Sequence, residues 1–205
     1  FINGTKSSCI YCQSADGSNN SDAAANFMIG GSASWNEAPG TIDEVRVYNR
    51  ILSPDDIKRL YKIGATLKIN VPSNTGTLQD GLVGYWTFDQ PDMAGERAYA
   101  RSGNNNTGLL TNGPVRKAGK IGQALEFDGV DDYMSLSSFN LTQTKIVTVS
   151  FWLNWSAFSN NDDLVLESST DSNLNDGAVG IDPNSGTCPG SQVELNIQDS
   201  TAGQL

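Results

Sequence analysis

Short runs of β-branched and aromatic residues alternate with turns rich in Gly, Asn, Asp and Ser along the chain. The strongest run is residues 146–155, where alternate positions are apolar and predict one buried face: Val147, Val149, Phe151 and Leu153. Trp152 lies on the opposite face, so we expect it to be exposed or to contact a second layer. Short strands separated by turn residues are typical of a β-sandwich or jelly roll. The sequence therefore predicts an all-β sandwich.

A second strand is predicted at residues 40–49, which are rich in β-branched side chains. Strict alternation of side chains assigns one face of this strand to Asp43, Val45 and Val47 and the other to Ile42, Glu44, Arg46 and Tyr48. At the start of the chain, apolar residues followed by Asn3-Gly4 predict a tight hairpin turn over residues 1–5.

One short helix is predicted at about residues 53–62. Ser53 is a suitable N-cap, Pro54 suits the first helical position, and two Asp residues follow where the helix dipole favours negative charge. Leu52 and Ile57 have the spacing of a hydrophobic staple. We expect this helix to end before Gly64.

Charge and composition exclude several classes of function. The chain has 13 basic and 23 acidic residues and a net charge of −10, so it lacks the basic surface that nucleic acids or anionic membranes require. It contains no histidine, which excludes Ser-His-Asp and Cys-His catalysis and histidine-bound metals within this stretch. No apolar run is long enough to predict a membrane-spanning segment.

Several motifs resemble the laminin G-like jelly rolls of the concanavalin A-like lectin/glucanase superfamily. Residues 40–61, GTIDEVRVYNRILSPDDIKRLY, are similar to the closing strand and terminal helix of that family. Residues 80–89, DGLVGYWTFD, and 122–133, GQALEFDGVDDY, are similar to its opening strands, and VTVSFWLNW at 147–155 is similar to its next core strand. The resemblance implies a jelly-roll fold.

The motifs occur in an unexpected order, because the closing ones precede the opening ones. The resemblance then implies the C-terminal part of one jelly roll at 1–63, a linker at 64–80, and the N-terminal part of a second at 81–205. We expect the chain, which begins with Phe1 rather than Met, to be a piece of a protein with tandem repeats. We predict a partial or circularly permuted single sandwich in which Ile42–Tyr48 pairs with the strand around Val83–Phe88. Two separate partial sheets are the alternative.

Calcium is the metal that the resemblance implies, since jelly rolls of this superfamily often hold a structural Ca²⁺ near their paired terminal strands. The matching carboxylates are Asp43 and Asp89; Arg101, where many members have Asp, departs from the pattern and adds repulsion to a cation. A second acidic cluster comprises Asp128, Asp131 and Asp132, and the alternative for all these residues is turn formation and capping by solvated carboxylates.

No catalytic residue is predicted. The glucanases of the superfamily use paired carboxylates, and Glu126 and Asp128 lie on one face of a strand. However, Asp128 precedes a glycine and is expected to serve a turn, and the glucanase pattern Glu-x-Asp-x-x-Glu is broken because position 131 is Asp.

Two further features concern disulfides and ligand binding. Cys9 and Cys12 form a C-x-x-C with no second pair or histidine to complete a zinc site, so disulfide bonding in an exported protein is the better interpretation. Trp35, in a Gly/Ser-rich loop, is the candidate for stacking on a sugar ring, whereas strand Trp residues are candidates for the core.

These observations together predict a non-catalytic laminin G-like module of an exported or cell-surface protein, with a role in adhesion or glycan binding. The expected partners are glycans or surface proteins, and structural Ca²⁺ is the expected cofactor. The alternatives are an accessory module of a secreted glycan-degrading enzyme or a purely structural spacer repeat.

Overall fold

Thirteen strands and two α-helices make up the computed structural model of the chain, which describes residues 1–6, 27–31, 39–65, 76–136, 146–156, 165–168, 179–182 and 194–197. The strands are β1 (Phe27–Ile29), β2 (Gly40–Tyr48), β3 (Leu82–Trp86), β4 (Met93–Ala94), β5 (Arg97–Ala98), β6 (Gly108–Thr111), β7 (Val115–Ala118), β8 (Gln123–Phe127), β9 (Tyr133–Leu136), β10 (Thr148–Trp155), β11 (Leu166–Ser168), β12 (Val179–Asp182) and β13 (Glu194–Ile197). The helices are α1 (Pro54–Ala65) and α2 (Gly76–Gln79).

The strands form two antiparallel sheets. The first has the order β13-β12-β11-β1-β9-β6-β5-β4, and the second has the order β10-β2-β8-β7 with β3 also paired to β2. Apolar side chains from both sheets share one buried core, with Phe27 and Met134 from the first and Val45, Trp86 and Leu125 from the second. The structure is thus the all-β sandwich that the alternation of strands and turns predicted.

The predicted pairing between the early part of the chain, residues 1–63, and the later part, residues 81–205, is confirmed. Val45–Tyr48 of β2 pairs antiparallel with β3, with Val45 opposite Trp86 and Val47 opposite Gly84. The other partners of β2, β8 and β10, also come from the later part of the chain. Both sheets therefore contain strands from both parts, and the alternative of two separate partial sheets is wrong.

Helix α1 packs on the outer surface of the second sheet. Its start is as predicted, because the Asp56 N–H donates to Ser53 Oγ at 3.1 Å and Leu52 is buried with Ile57 packed nearby. Its end is later than predicted, since the helix continues through Gly64 to Ala65. The short helix α2, within the predicted linker, adds Leu78 to a second apolar cluster, whose other buried members are Tyr48, Leu52, Leu60 and Leu82.

The predicted hairpin turn at the start of the chain is present. Ile2 and Thr5 exchange backbone hydrogen bonds of 2.9 and 3.0 Å, and both central residues, Asn3 and Gly4, have positive φ. A Cβ atom on Gly4 would lie 3.0 Å from the Tyr61 ring, so the turn lies directly against α1.

Candidate functional site

A β-bulge at Glu44 and Val45 shapes the part of β2 that bears the candidate site, because Asp43 lies opposite Trp152 and Arg46 opposite Ser150 on β10. Glu44 has a φ of +56°, and Ile42 faces the core on one side of the bulge while Val45 faces it on the other. Ile42 and Val45 thus both face the core although two residues separate them, as the extra residue of a β-bulge requires. The face assignment made from strict alternation is therefore wrong for Ile42, which shares the core face with Val45 and Val47.

Asp43 and Asp89, the two predicted calcium ligands, reach the same turn at residues 119–123. The Ile121 N–H donates to Asp43 Oδ2 at 2.8 Å, and the Gln123 N–H donates to Asp89 Oδ1 at 2.9 Å. The turn itself is closed by a 3.0 Å hydrogen bond from the Gly119 N–H to the Gly122 carbonyl. One carboxylate comes from the bulge in β2, and the other follows the end of β3.

Glycine at position 122 is required by this close approach. Its φ is +67°, and a Cβ atom there would lie 2.0 Å from Asp89 Oδ1. Gly119 is similarly confined, because its Cβ would lie 2.6 Å from Asp43 Oδ2. The turn can therefore sit between the two carboxylates only with glycine at these positions.

Burial gives the Asp43 carboxylate unusual acid–base behaviour. The side chain is only 2% exposed, and this desolvation raises the pKa of Asp43 from 3.8 to about 6; the hydrogen bond from Ile121 opposes the rise and the neighbouring Glu44 charge adds to it. Asp43 Oδ1 is buried and has no hydrogen-bond partner within the described part of the chain, and the same is true of Gln123 Oε1.

This donor set suits a hard divalent cation. Ca²⁺ takes oxygen ligands from carboxylates, side-chain amides and backbone carbonyls. Two buried acceptor oxygens without donors, one of them a carboxylate oxygen, are the groups that such an ion would satisfy. The residues around the turn that fit Ca²⁺ are Asp43, Asp89 and Gln123, and nothing in the sequence motif indicated Gln123.

Arg101 departs from the family pattern in sequence, but its charge is paired in the structure. Its Nε lies 2.5 Å from an oxygen of the Asp92 carboxylate, which also accepts a short hydrogen bond from the Thr87 hydroxyl. The backbone N–H of Asp89 donates to Thr87 Oγ1 at 3.2 Å. Asp92 thus offsets the positive charge that the sequence placed near the candidate cation site.

The second acidic cluster forms a carboxylate-lined turn between β8 and β9. Oxygen atoms of Asp128, Asp131 and Asp132 lie within 4.8 Å of one another, the one such group of three acidic, Cys or His residues within the described ranges. Asp128 Oδ1 accepts the Val130 N–H at 2.8 Å, and Asp132 Oδ2 accepts the Asp128 N–H at 3.1 Å. The expected use of Asp128 in a turn is confirmed.

Glu126, the possible partner of Asp128 in catalysis, is engaged elsewhere. Its carboxylate lies 3.2 Å from the ammonium of Lys117 on the neighbouring strand β7. A pocket of about 150 Å³ lies beside these residues and is also lined by Val115, Phe127, Asp132 and Ser156.

Trp152 contacts a second layer, which was one of the two predicted possibilities. Its ring centroid lies 5.5 Å from that of Tyr61 on α1, with the ring planes inclined at 34°. Lys120, on the turn that Asp43 and Asp89 hold, places its ammonium 5.1 Å from the Trp152 ring. Trp86 is fully buried in the core, as expected for an inward-facing strand Trp.

Three predicted site residues, Trp35, Cys9 and Cys12, lie outside the described residues, so their roles stay predictions.

A buried polar cluster on β2 and β3 was not predicted. The Tyr85 hydroxyl donates to Glu44 Oε2 at 2.8 Å, and Arg46 forms a short ion pair with the same oxygen and stacks over the Tyr85 ring at 4.1 Å. Glu44 is 0% exposed. Burial, and secondarily the Glu44 charge, raises the pKa of the Tyr85 hydroxyl, whereas Arg46 opposes this rise. No sequence signal marks the bulge that brings Glu44 to this place.

The two packed antiparallel sheets define the chain as an all-β sandwich of the jelly-roll class. Residues 1–58 match the laminin G-like family model of the concanavalin A-like lectin/glucanases superfamily. This segment of the chain is therefore similar to laminin G-like domains, and the match includes the described elements β1 and β2 and the start of α1. No curated protein and no solved structure gives a significant match. Among the described residues, neither helix has the length and apolar character needed to cross a membrane.

Proposed function

We propose that this chain is a non-catalytic, carbohydrate-binding laminin G-like module of an exported or cell-surface protein, stabilised by a structural Ca²⁺. The observation that carries the proposal is the match of residues 1–58 to a superfamily of lectins and glucanases. Adhesion through surface glycans is the biological role that follows from such binding. Cys9 and Cys12 would form disulfide bonds in that oxidising environment.

The absence of catalysis in this proposal rests on chemistry. The sequence holds no histidine, and the carboxylates of Glu126 and Asp128 are used by a lysine and a turn respectively. A glycosidase of this kind would need one carboxylic acid and one free carboxylate on opposite sides of the glycosidic bond.

Asp43, Asp89 and Gln123 would hold the proposed Ca²⁺. The ion would supply positive charge beside the buried Asp43 carboxylate and would satisfy its unpaired Oδ1. These residues position the 119–123 turn, which carries Lys120 against Trp152. Binding of the ion would therefore fix the surface between this turn and α1.

Calcium binding can be tested by thermal unfolding in EDTA and in millimolar Ca²⁺. We expect Ca²⁺ to raise the Tm of the native chain and of Asp80→Asn, an exposed control, but not that of Asp43→Ala. Asp43→Ala could also fail to fold, so a second variant, Asp89→Asn, is needed. In this variant ion binding can be measured directly by the luminescence of Tb³⁺, which nearby Trp residues sensitise. Unchanged Tm and no Tb³⁺ signal in the native chain would reject the calcium site.

Carbohydrate binding can be tested by retention on a panel of immobilised glycans. Trp35 is the proposed stacking residue, and aromatic platforms contribute most of the contact area in such sites. We expect Trp35→Ala to lose retention and Tyr99→Ala, which replaces an aromatic ring that is 44% exposed, to keep it. A native chain that binds no glycan would contradict the proposal and favour the spacer interpretation.

A further inference from the structure

The two strands supplied by the early part of the chain occupy interior positions in both sheets. In the first sheet, β1 lies between β11 and β9, with Phe27 opposite Ser168 on one side and Leu136 on the other. In the second, β2 pairs along most of its length with β10 on one side, and with β8 and then β3 on the other. Neither strand is an edge strand.

The early part of the chain has no sheet of its own among the described residues. We call residues 27–65 the insert and residues 76–205 the acceptor. Apart from the small turn at Ile2 and Thr5, every described strand pairing of the early part is made with the acceptor. The insert therefore depends on the acceptor for its backbone hydrogen bonds.

The acceptor depends equally on the insert. The second sheet has the order β10-β2-β8-β7 with β3 on β2, so without β2 the strands β10 and β3 have no described partner and are separated from the β7–β8 hairpin. Without β1, the first sheet divides between β11 and β9. Each such gap would expose rows of unpaired N–H and C=O groups beside an apolar core, which is a strong template for a matching strand.

Specific contacts make the gap in the acceptor selective for this insert. Tyr85 of β3 donates to the buried Glu44, the Thr148 hydroxyl donates to the Arg50 carbonyl at 2.7 Å, and Arg50 Nε donates to the Asp80 carbonyl at 2.6 Å. Apolar residues of α1, including Leu60, are buried with Leu78 and Leu82 of the acceptor. A strand without the following helix would leave this second apolar cluster open.

From this mutual dependence we propose that a second copy of this chain can supply the insert, so that two copies form a domain-swapped dimer. The insert and acceptor are joined covalently through residues 66–75 only, and all the contacts above can form equally between copies. Insertion within one copy has an effective concentration of roughly millimolar when the two parts are joined by a short connection. The monomer therefore dominates in dilute solution, and exchange requires folding at high concentration.

Complementation between two defective full-length chains tests the proposal. Val45→Asp buries a charge in the insert and leaves the acceptor intact, whereas Leu125→Asp damages the acceptor and leaves the insert intact. We expect each variant to remain unfolded alone. When the two are denatured together and refolded, the intact insert of one copy should fold with the intact acceptor of the other, giving a heterodimer with up to half the native Trp86 fluorescence signal.

The outcomes decide the question. Val115→Asp, at a position that is 51% exposed on β7, is the matched control and should fold alone. A native-like Val45→Asp chain would show that the insert is not needed, and a mixture that gives no more signal than its two components would show that it is not exchangeable; either result overturns the proposal. As a second measurement, the native chain refolded at about 1 mM should contain a dimer fraction that is absent after refolding at about 5 µM.

Discussion

Replacement of Arg46 by Met removes the guanidinium that pairs with the buried Glu44 carboxylate. Glu44 is 0% exposed and Arg46 is 8% exposed, so solvent does not replace the lost partner. Breaking a buried ion pair from one side costs about 3–5 kcal/mol because it leaves an uncompensated charge. The stacking of Arg46 over Tyr85 at 4.1 Å adds about 1 kcal/mol. We expect Arg46→Met to lower the free energy of unfolding by about 4 kcal/mol.

Urea unfolding followed by Trp fluorescence measures this effect, and a double-mutant cycle shows its origin. If the cost arises from the stranded Glu44 charge, Glu44→Gln in the Arg46→Met background should recover about 2 kcal/mol, while Glu44→Gln alone should destabilise the chain. Tyr85→Phe should cost about 1.5–3 kcal/mol, since the hydroxyl donates to a charged group. A cost below about 1 kcal/mol for Arg46→Met, or no recovery in the double variant, would refute the reasoning.

Three other substitutions have expected outcomes. Gly122→Ala should destabilise the chain more than Gly103→Ala in chemical denaturation, because both glycines have positive φ but only position 122 would also clash with a carboxylate, and equal costs would contradict this. Ser53→Ala should cost about 1 kcal/mol of stability by removal of the N-cap of α1 and should lower the urea midpoint, whereas an unchanged midpoint would contradict the cap. Because burial raises the pKa of Asp43 to about 6, the protonated carboxyl of Asp43 stabilises the folded chain in EDTA. This contribution to the free energy of unfolding is full below pH 3.8 and is lost as the pH rises through about 6. Asp43→Asn should abolish this loss of about 3 kcal/mol in a pH series of unfolding curves, and Asp80→Asn should not.

The sequence predicted the strands of the second sheet well where side chains alternate without interruption. In β10 and the residue before it, the apolar side chains Val147, Val149, Phe151 and Leu153 pack against the core and Trp152 faces the other way, as their spacing requires. The cap and staple of α1 were equally predictable, because they depend on residues adjacent in sequence. The helix end was not, since a glycine only weakens a helix and packing of Ile63 against the second apolar cluster outweighs that cost.

The β-bulge in β2 shows what local pattern could not predict. Asp43 and Glu44 lie where β2 changes its neighbour from β8 to β3, and the register with β10 also shifts there, between Ser150 and Trp152. The bulge is therefore a consequence of fitting three partner strands around one strand. The residue with the positive φ is Glu44 rather than a glycine, so the sequence does not indicate the bulge. Asp43, within β2, and Asp89, after β3, nevertheless reach the same turn because their strands pair with each other, and their binding of Ca²⁺ stays a prediction.

The two proposals meet at the turn of residues 119–123. Asp43 belongs to the insert, whereas Asp89 and Gln123 belong to the acceptor, so the proposed calcium site is complete only when an insert is in place. An ion that binds only the assembled form stabilises it by about 2.7 kcal/mol at a hundred times its Kd. Calcium should therefore slow the exchange of inserts between copies by up to about a hundredfold. The rate of exchange can be measured between two differently tagged dimers. Equal rates in Ca²⁺ and in EDTA would separate the two proposals: insert exchange would stand, and its control by calcium would not.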